Sequence, residues 1–201
     1  MANVAHAART EELALLFTAA RTHYAWLPEP VDDDLLRRLY ELVRWAPTGS
    51  NAQTMRIAFV RSPEGKERLR PALFPANVEK AMTAPVTAIL AYDVAWYERM
   101  PELAPFRPNV LDQYLTMPAE RRDQLAALNS HVQAGYFILA ARAVGLDCGP
   151  MGGFDRAKVD AAFFPNGAWH SQLLVNLGYG DPEKTMARMP RLDFETVCRL
   201  V

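Results

Sequence analysis

"DQLAALNSHVQAGYFILAARAVGL", residues 123–146, decides how the rest of the chain is arranged. It is the longest stretch with helical spacing, and its second half is apolar nearly all round, as a central buried helix requires. The part from 134 to 146 is too short to span a bilayer and is interrupted by Arg142. A helix of this kind needs an apolar layer to cover it. "PVTAILAYD" (85–93), apolar and β-branched between Pro85 and Asp93, reads as a buried strand, and "SQLLVNLGYG" (171–180) and "MRIAFVR" (55–61) read as further strands.

Helices are expected around this sheet. "VDDDLLRRLYELVRWA" (31–46) has an acidic first turn and a stripe of Leu35, Leu36, Leu39, Leu42 and Val43. "TEELALLFTAA" (10–20), "SPEGKERLRPAL" with Ser62 as cap and Pro63 in its first turn, "PANVEKAMTA" (75–84) and "DRAKVDAAFF" (155–164) complete the set. "DCGPMGGFD" reads as a connector, and the polar, basic end closes on an amphipathic turn or two. Residues 94–122, with four prolines and little periodicity, read as a surface excursion holding short helices. No repeat, low-complexity tract or linker divides the chain. The expectation is one α+β domain over 1–201, a sheet between helical layers.

Composition narrows the function. Lys plus Arg (22) nearly cancels Asp plus Glu (23), so no global basic field recruits nucleic acid. Cys148 and Cys198 form no CxxC and suggest a reducing cytoplasm. "MANVAHAARTEELALLF" places Glu11 and Glu12 where a signal peptide needs an unbroken apolar run. The histidines at 6, 23, 131 and 170 lack metal-ligand spacing, and no GxSxG, GxxxxGK[ST] or GxGxxG motif is present.

Four segments instead place short polar groups or bare backbone where an extended, partly anionic ligand could lie. Arg21, Thr22 and His23 close the first predicted helix; the arginine suits either a phosphate or the helix dipole. "PTGSNAQT" (47–54) gathers Pro47, Thr48, Gly49, Ser50, Asn51 and Gln53 in one short loop, more than a turn needs. Asn77 and Lys80 share a helix face, as a solvated surface or as a grip on a carbonyl edge. Pro150, Met151, Gly152 and Gly153 offer N–H groups that a flat ring can approach.

In this order the segments resemble the FMN-dependent nitroreductase family over essentially the whole chain. Arg21-Thr22-His23 is similar to the family's phosphate-binding Arg-x-Ser/Thr, with His23 where a hydroxyl is usual. Pro47 to Gln53 is similar to its Pro-Ser-x-x-Asn-x-Gln loop, and Asn77 with Lys80 to its Asn-x-x-Lys on the flavin's pyrimidine edge. Pro150 to Gly153 resembles its Pro-x-x-Gly segment, with Gly152 where Glu is frequent, and Arg188 and Arg191 resemble its basic tail. The resemblance implies a central mixed β-sheet flanked by helices, FMN as cofactor and NADH or NADPH as donor. It also implies a homodimer whose two FMN sites are each built from both chains; no catalytic side chain is assigned, and composition, hydropathy and histidine spacing lead to an expectation of no nucleic acid, membrane or metal.

"RTHYAW", "EGKERLRPAL", "TAPVTAILAYD", "GLDCGPMGGFD" and "NLGYGD" further resemble the malonic semialdehyde reductase branch, which implies reduction of 3-oxopropanoate to 3-hydroxypropanoate in pyrimidine breakdown. A carboxylate-bearing aldehyde calls for a cation near the flavin. The excursion offers Arg99 and Arg107 for that, with Phe106 and Tyr114 as lids. A broad-scope nitro- or quinone reductase and a non-catalytic flavin-binding protein stand as alternatives.

Overall fold

The structure, a computed structural model, describes residues 7–201; His6 and the first part of the leader reading lie outside it. Four strands form its sheet: β1 (Met55–Val60), β2 (Val86–Asp93), β3 (Asp147–Met151) and β4 (Trp169–Gly178), in the order β1-β2-β4-β3. All three pairings are antiparallel. The parallel component of the expected mixed sheet is one bridge, Thr22 to Cys148. β3 corrects the connector expected at 147–151. Gly149 and Pro150 read as loop residues, yet a strand that ladders to β4 as the last in the sheet tolerates a proline without its N–H.

The helices are α1 (Thr10–Leu13), α2 (Asp33–Val43), α3 (Pro63–Leu69), α4 (Pro75–Thr83), α5 (Met100–Leu103), α6 (Val110–Leu115), α7 (Ala119–Ala143), α8 (Arg156–Phe163) and α9 (Phe194–Val197). Ser62 caps α3 by accepting the Gly65 N–H at 3.1 Å, with Pro63 in the first turn as expected. α1 runs into a π-helical turn over Ala14–Thr18.

β2 and β4 are buried on both faces, and their alternation sorts the core. Val86, Ala88 and Leu90 with Val175 and Leu177 face a cluster that includes Leu39 and Val43 of α2 and Phe137 and Ala141 of α7. Ile89, Ala91 and Leu174 face the other way, against Leu69, Ala81 and Val159 of α3, α4 and α8. The result is a sheet between two helical layers. The excursion has a core of its own, where Trp96, Met100, Val110 and Tyr114 pack on Ala52 and Ala126.

α7 departs from the expectation in one respect. Its middle is not covered all round: Leu128 (62 % exposed), Val132 and Tyr136, spaced by four, form an open stripe. No helix among the described residues is long and apolar enough to cross a membrane.

Candidate functional site

The site starts at β3. The His23 N–H donates to the Cys148 carbonyl at 3.0 Å, laying the segment after Arg21 along this strand. A Cβ on Gly149 would stand 2.6 Å from the His23 carbonyl oxygen, so only glycine permits this approach. The His23 ring is buried against Gly180, with Nε2 3.4 Å from Asp147. It packs beneath the site and does not join the cluster that Arg21 and Thr22 help to form.

Arg21 and Thr22 line a cavity of about 620 Å³ with Tyr24, Arg142, Arg188 and Arg191. The basic tail thus returns to the N-terminal segment. Arg21 donates to the Met186 carbonyl, and Arg188 to the Ala20 carbonyl at 3.0 Å. Arg191 is turned onto the neighbouring Met189 and Pro190 carbonyls, both at 3.0 Å. Four guanidiniums meet here, and no acidic residue is among those lining the cavity. The Nε of Arg142 is buried without a hydrogen-bond partner, a deficit of about 1–3 kcal/mol.

Tyr24 joins this cavity to the second group, its ring lying 4.6 Å from Lys80 Nζ. Lys80 donates to Asn77 Oδ1 at 3.3 Å, and Asn77 Nδ2 donates to the Gly153 carbonyl at 3.0 Å. Gly153 allows this because a Cβ would come within 2.5 Å of that amide nitrogen; Gly152 is exposed and open. Pro150 and Met151 sit within β3, Met151 buried in the core. α4 is fixed from behind: Trp26 Nε1 and Asn176 Nδ2 both donate to the Lys80 carbonyl, at 3.1 and 3.0 Å. Asn176 is oriented by the Thr87 hydroxyl, which donates to its Oδ1 at 2.7 Å.

Thr87 in turn accepts from Lys66 Nζ at 2.7 Å, and Lys66 also donates to the Ala81 carbonyl at 2.7 Å. Only 5 % exposed, Lys66 has its pKa pushed down by burial to about 7.

The 47–54 loop is elsewhere. It leads into β1, three strand spacings from β3 and so about 14 Å across the sheet. Its donors and acceptors are turned inward. The Gly49 N–H donates to Asn129 Oδ1 at 2.6 Å, the Gln53 N–H to Thr48 Oγ1 at 3.1 Å, and Asn51 Nδ2 to the Leu103 carbonyl at 2.9 Å. Ser50, Asn51 and Gln53 have φ of 56°, 58° and 43°. Pro47 is exposed.

Of the excursion's candidates, Arg107 reaches this loop, donating to Ser50 Oγ at 2.7 Å and to Gln113 Oε1 at 2.8 Å. Arg99 bonds to Glu102 at 3.3 Å, and Phe106 is 79 % exposed. Tyr114 is corrected: at 7 % exposure it is core, its ring 4.6 Å from that of Trp96, and it covers nothing outside. Tyr24, Arg142 and Asn176 were absent from the expectations. Arg142 had one sequence signal, a charge breaking an otherwise apolar run.

With this geometry in place, the comparisons with known proteins are informative. The model of the nitroreductase family matches residues 18–179, and the chain belongs to that family. Three solved structures share the fold at low identity. A protein of Exiguobacterium sibiricum assigned as a nitroreductase, solved in complex with FMN, is 18% identical with a TM-score of 0.85, covering 97% of this chain and 99% of its own. A Staphylococcus epidermidis protein assigned as an NAD(P)H:FMN oxidoreductase is 18% identical with a TM-score of 0.86, covering 97% and 98%. CLA-ER, an enone reductase of gut-bacterial fatty acid saturation, is 18% identical with a TM-score of 0.81, covering 94% and 97%.

Proposed function

We propose that this protein is an FMN-dependent NAD(P)H oxidoreductase of the cytoplasm that works as a homodimer, one domain per chain. The observation that carries the reading is the arginine cavity continuous through Tyr24 with Asn77, Lys80 and Gly153. A phosphate at one end and an uncharged planar ring at the other match these donors, and four guanidiniums with no acidic residue among the lining groups suit an anion. FMN-bound and NAD(P)H:FMN oxidoreductase neighbours support the cofactor and the electron donor.

Bound FMN supplies two-electron redox chemistry. This chain's residues bind and orient it. Arg21, Arg188, Arg191 and the Thr22 hydroxyl face the phosphate, Lys80 places positive charge beside the ring, and Asn77 holds Lys80 in place. The second copy enters because the 47–54 loop lies across the sheet from this half-site in its own chain. The open α7 stripe of Leu128, Val132 and Tyr136 is the apolar surface that a second copy covers.

For substrate we favour malonic semialdehyde. Its aldehyde carbon gains a hydride, its oxygen gains a proton, and NAD(P)H is oxidised. The supporting feature is the group of segments resembling the malonic semialdehyde reductase branch. One observation favours the second reading, a broad-scope nitro- or quinone reductase: Arg107 is already engaged by Ser50 and Gln113, so a cation for the substrate carboxylate has to be released first. Turnover on 3-oxopropanoate against a nitroaromatic decides between them. A specificity constant for 3-oxopropanoate at least tenfold higher supports the first; parity or the reverse supports the second. Purified protein without yellow colour, or with colour that NADH and NADPH leave unbleached, removes both.

A further inference from the structure

We propose that Lys66 is a positioning residue for the flavin ring, acting through the last turn of α4 on Lys80 and Asn77; this rests on the flavin reading above. α4 ends without a backbone cap of its own. Its C-cap residue Ala84 is extended, and Pro85, which has no N–H, follows directly. The carbonyls of the last turn therefore depend on side chains from other elements. The Lys80 carbonyl accepts from Trp26 and Asn176, and the Ala81 carbonyl accepts from Lys66 Nζ.

Lys66 bears on both carbonyls. It bonds directly to Ala81. It reaches Lys80 by a relay, in which Nζ donates to the Thr87 hydroxyl and that hydroxyl donates to Asn176 Oδ1, leaving the amide nitrogen of Asn176 turned toward the Lys80 carbonyl. The same nitrogen lies 3.6 Å from Met151 Sδ, at the end of β3 that leads to Gly153, the acceptor for Asn77. Lys66, Thr87 and Asn176 are all buried, so bulk water does not replace a lost member. A lysine is a costly donor to bury, and here both of its acceptors are neutral. Both bonds serve the one turn that carries Lys80.

The competing role is a tie that only holds α3 against α4. Coupling between residues separates the two. FMN dissociation constants are measured for Lys66→Met made in wild type, in Arg21→Ala and in Lys80→Met, with the midpoint potential of bound FMN on the same proteins. Positioning predicts binding about fivefold weaker in the first two backgrounds, within the range of one hydrogen bond, and a change within twofold once Lys80 is gone. It also predicts a more negative potential wherever Lys80 is present, because positive charge held beside the ring favours the added electrons. Thr87→Val leaves the Ala81 bond in place; it should give the same pattern at about threefold, and it decides the matter if Lys66→Met does not fold. A loss of equal size in all three backgrounds makes Lys66 a structural tie and overturns the assignment, as does unchanged affinity in wild type. Wild type that binds no FMN overturns the flavin reading and this assignment together.

Discussion

The two ends of the candidate site are built in opposite ways. Around Arg21, Lys80 and Arg188 the residues come from five separate parts of the chain, and four guanidiniums line the cavity with no acidic residue beside them. Around 47–54 almost all the polar groups come from one loop, nearly every donor is used internally, and three non-glycine residues sit at positive φ. The first concentrates positive charge with no carboxylate to match it. The second is a stiff shape, held by Asn129, Leu103 and Arg107. Charge does the work at one end and form at the other.

The hardest break is at the charged end. Replacing Arg21 and Arg188 together by alanine removes two guanidiniums in the class worth about 1.5–3 kcal/mol each, so FMN affinity should fall by about 100-fold or more. Equilibrium dialysis measures it. Retention within fivefold of wild type means that the phosphate lies elsewhere.

Next is the backing of that end. Burial lowers the Lys66 pKa to about 7; in the unfolded chain it titrates at the ordinary lysine value near ~10.4. Between these values the unfolded state binds the extra proton, so stability rises with pH through this window, by at most about 1.4 kcal/mol per unit, and the gain is lost as pH falls through 7. The neutral amine has two N–H groups, enough for Ala81 and Thr87. Urea unfolding from pH 7 to 9 should show the slope in wild type and a flatter line in Lys66→Met. Parallel lines exclude Lys66 as its origin.

Two adjacent glycines sharpen the comparison further. Gly153→Ala pushes a methyl to 2.5 Å from Asn77 Nδ2, whereas Gly152→Ala meets nothing within 4 Å. The first should weaken FMN about tenfold, in line with the loss of one good hydrogen bond, and the second should be silent in the same fluorescence titration. Equal effects would remove Asn77 from the ring's edge.

What the sequence disclosed follows the same division. The structure brings Arg21, Arg188 and Arg191 to one cavity and Asn77, Lys80 and Gly153 to one cluster, residues the sequence singles out because each motif carries its chemistry in the residue type. Arg142 was not legible, because its meaning depends on where the end of α7 packs, and sequence shows only an interruption. β3 was hidden because Gly149 and Pro150 are turn residues by habit; Gly149 is there for the His23 carbonyl, a neighbour more than a hundred residues away. Tyr114 looked like a lid because the excursion lacks periodicity, and only its packing on Trp96 reveals the small core there.

The smallest effect is expected in the loop, and it tests whether form is what matters at that end. Gln53 holds φ 43°, a region that disfavours side chains. Its side chain bonds only to Asn51 Oδ1, at 3.0 Å, and both residues are within the loop. Gln53→Gly relieves the strain, about 1–2 kcal/mol, against about 0.5–1 kcal/mol of added freedom in the unfolded chain and the loss of that bond. The balance is near zero, so the melting temperature should move by no more than about 4 °C. Activity should fall more than stability, because a loop free to leave its shape presents that shape less often. A variant as active as wild type would show that the strain at 53 is tolerated rather than used, and that the two ends differ in wiring but not in kind.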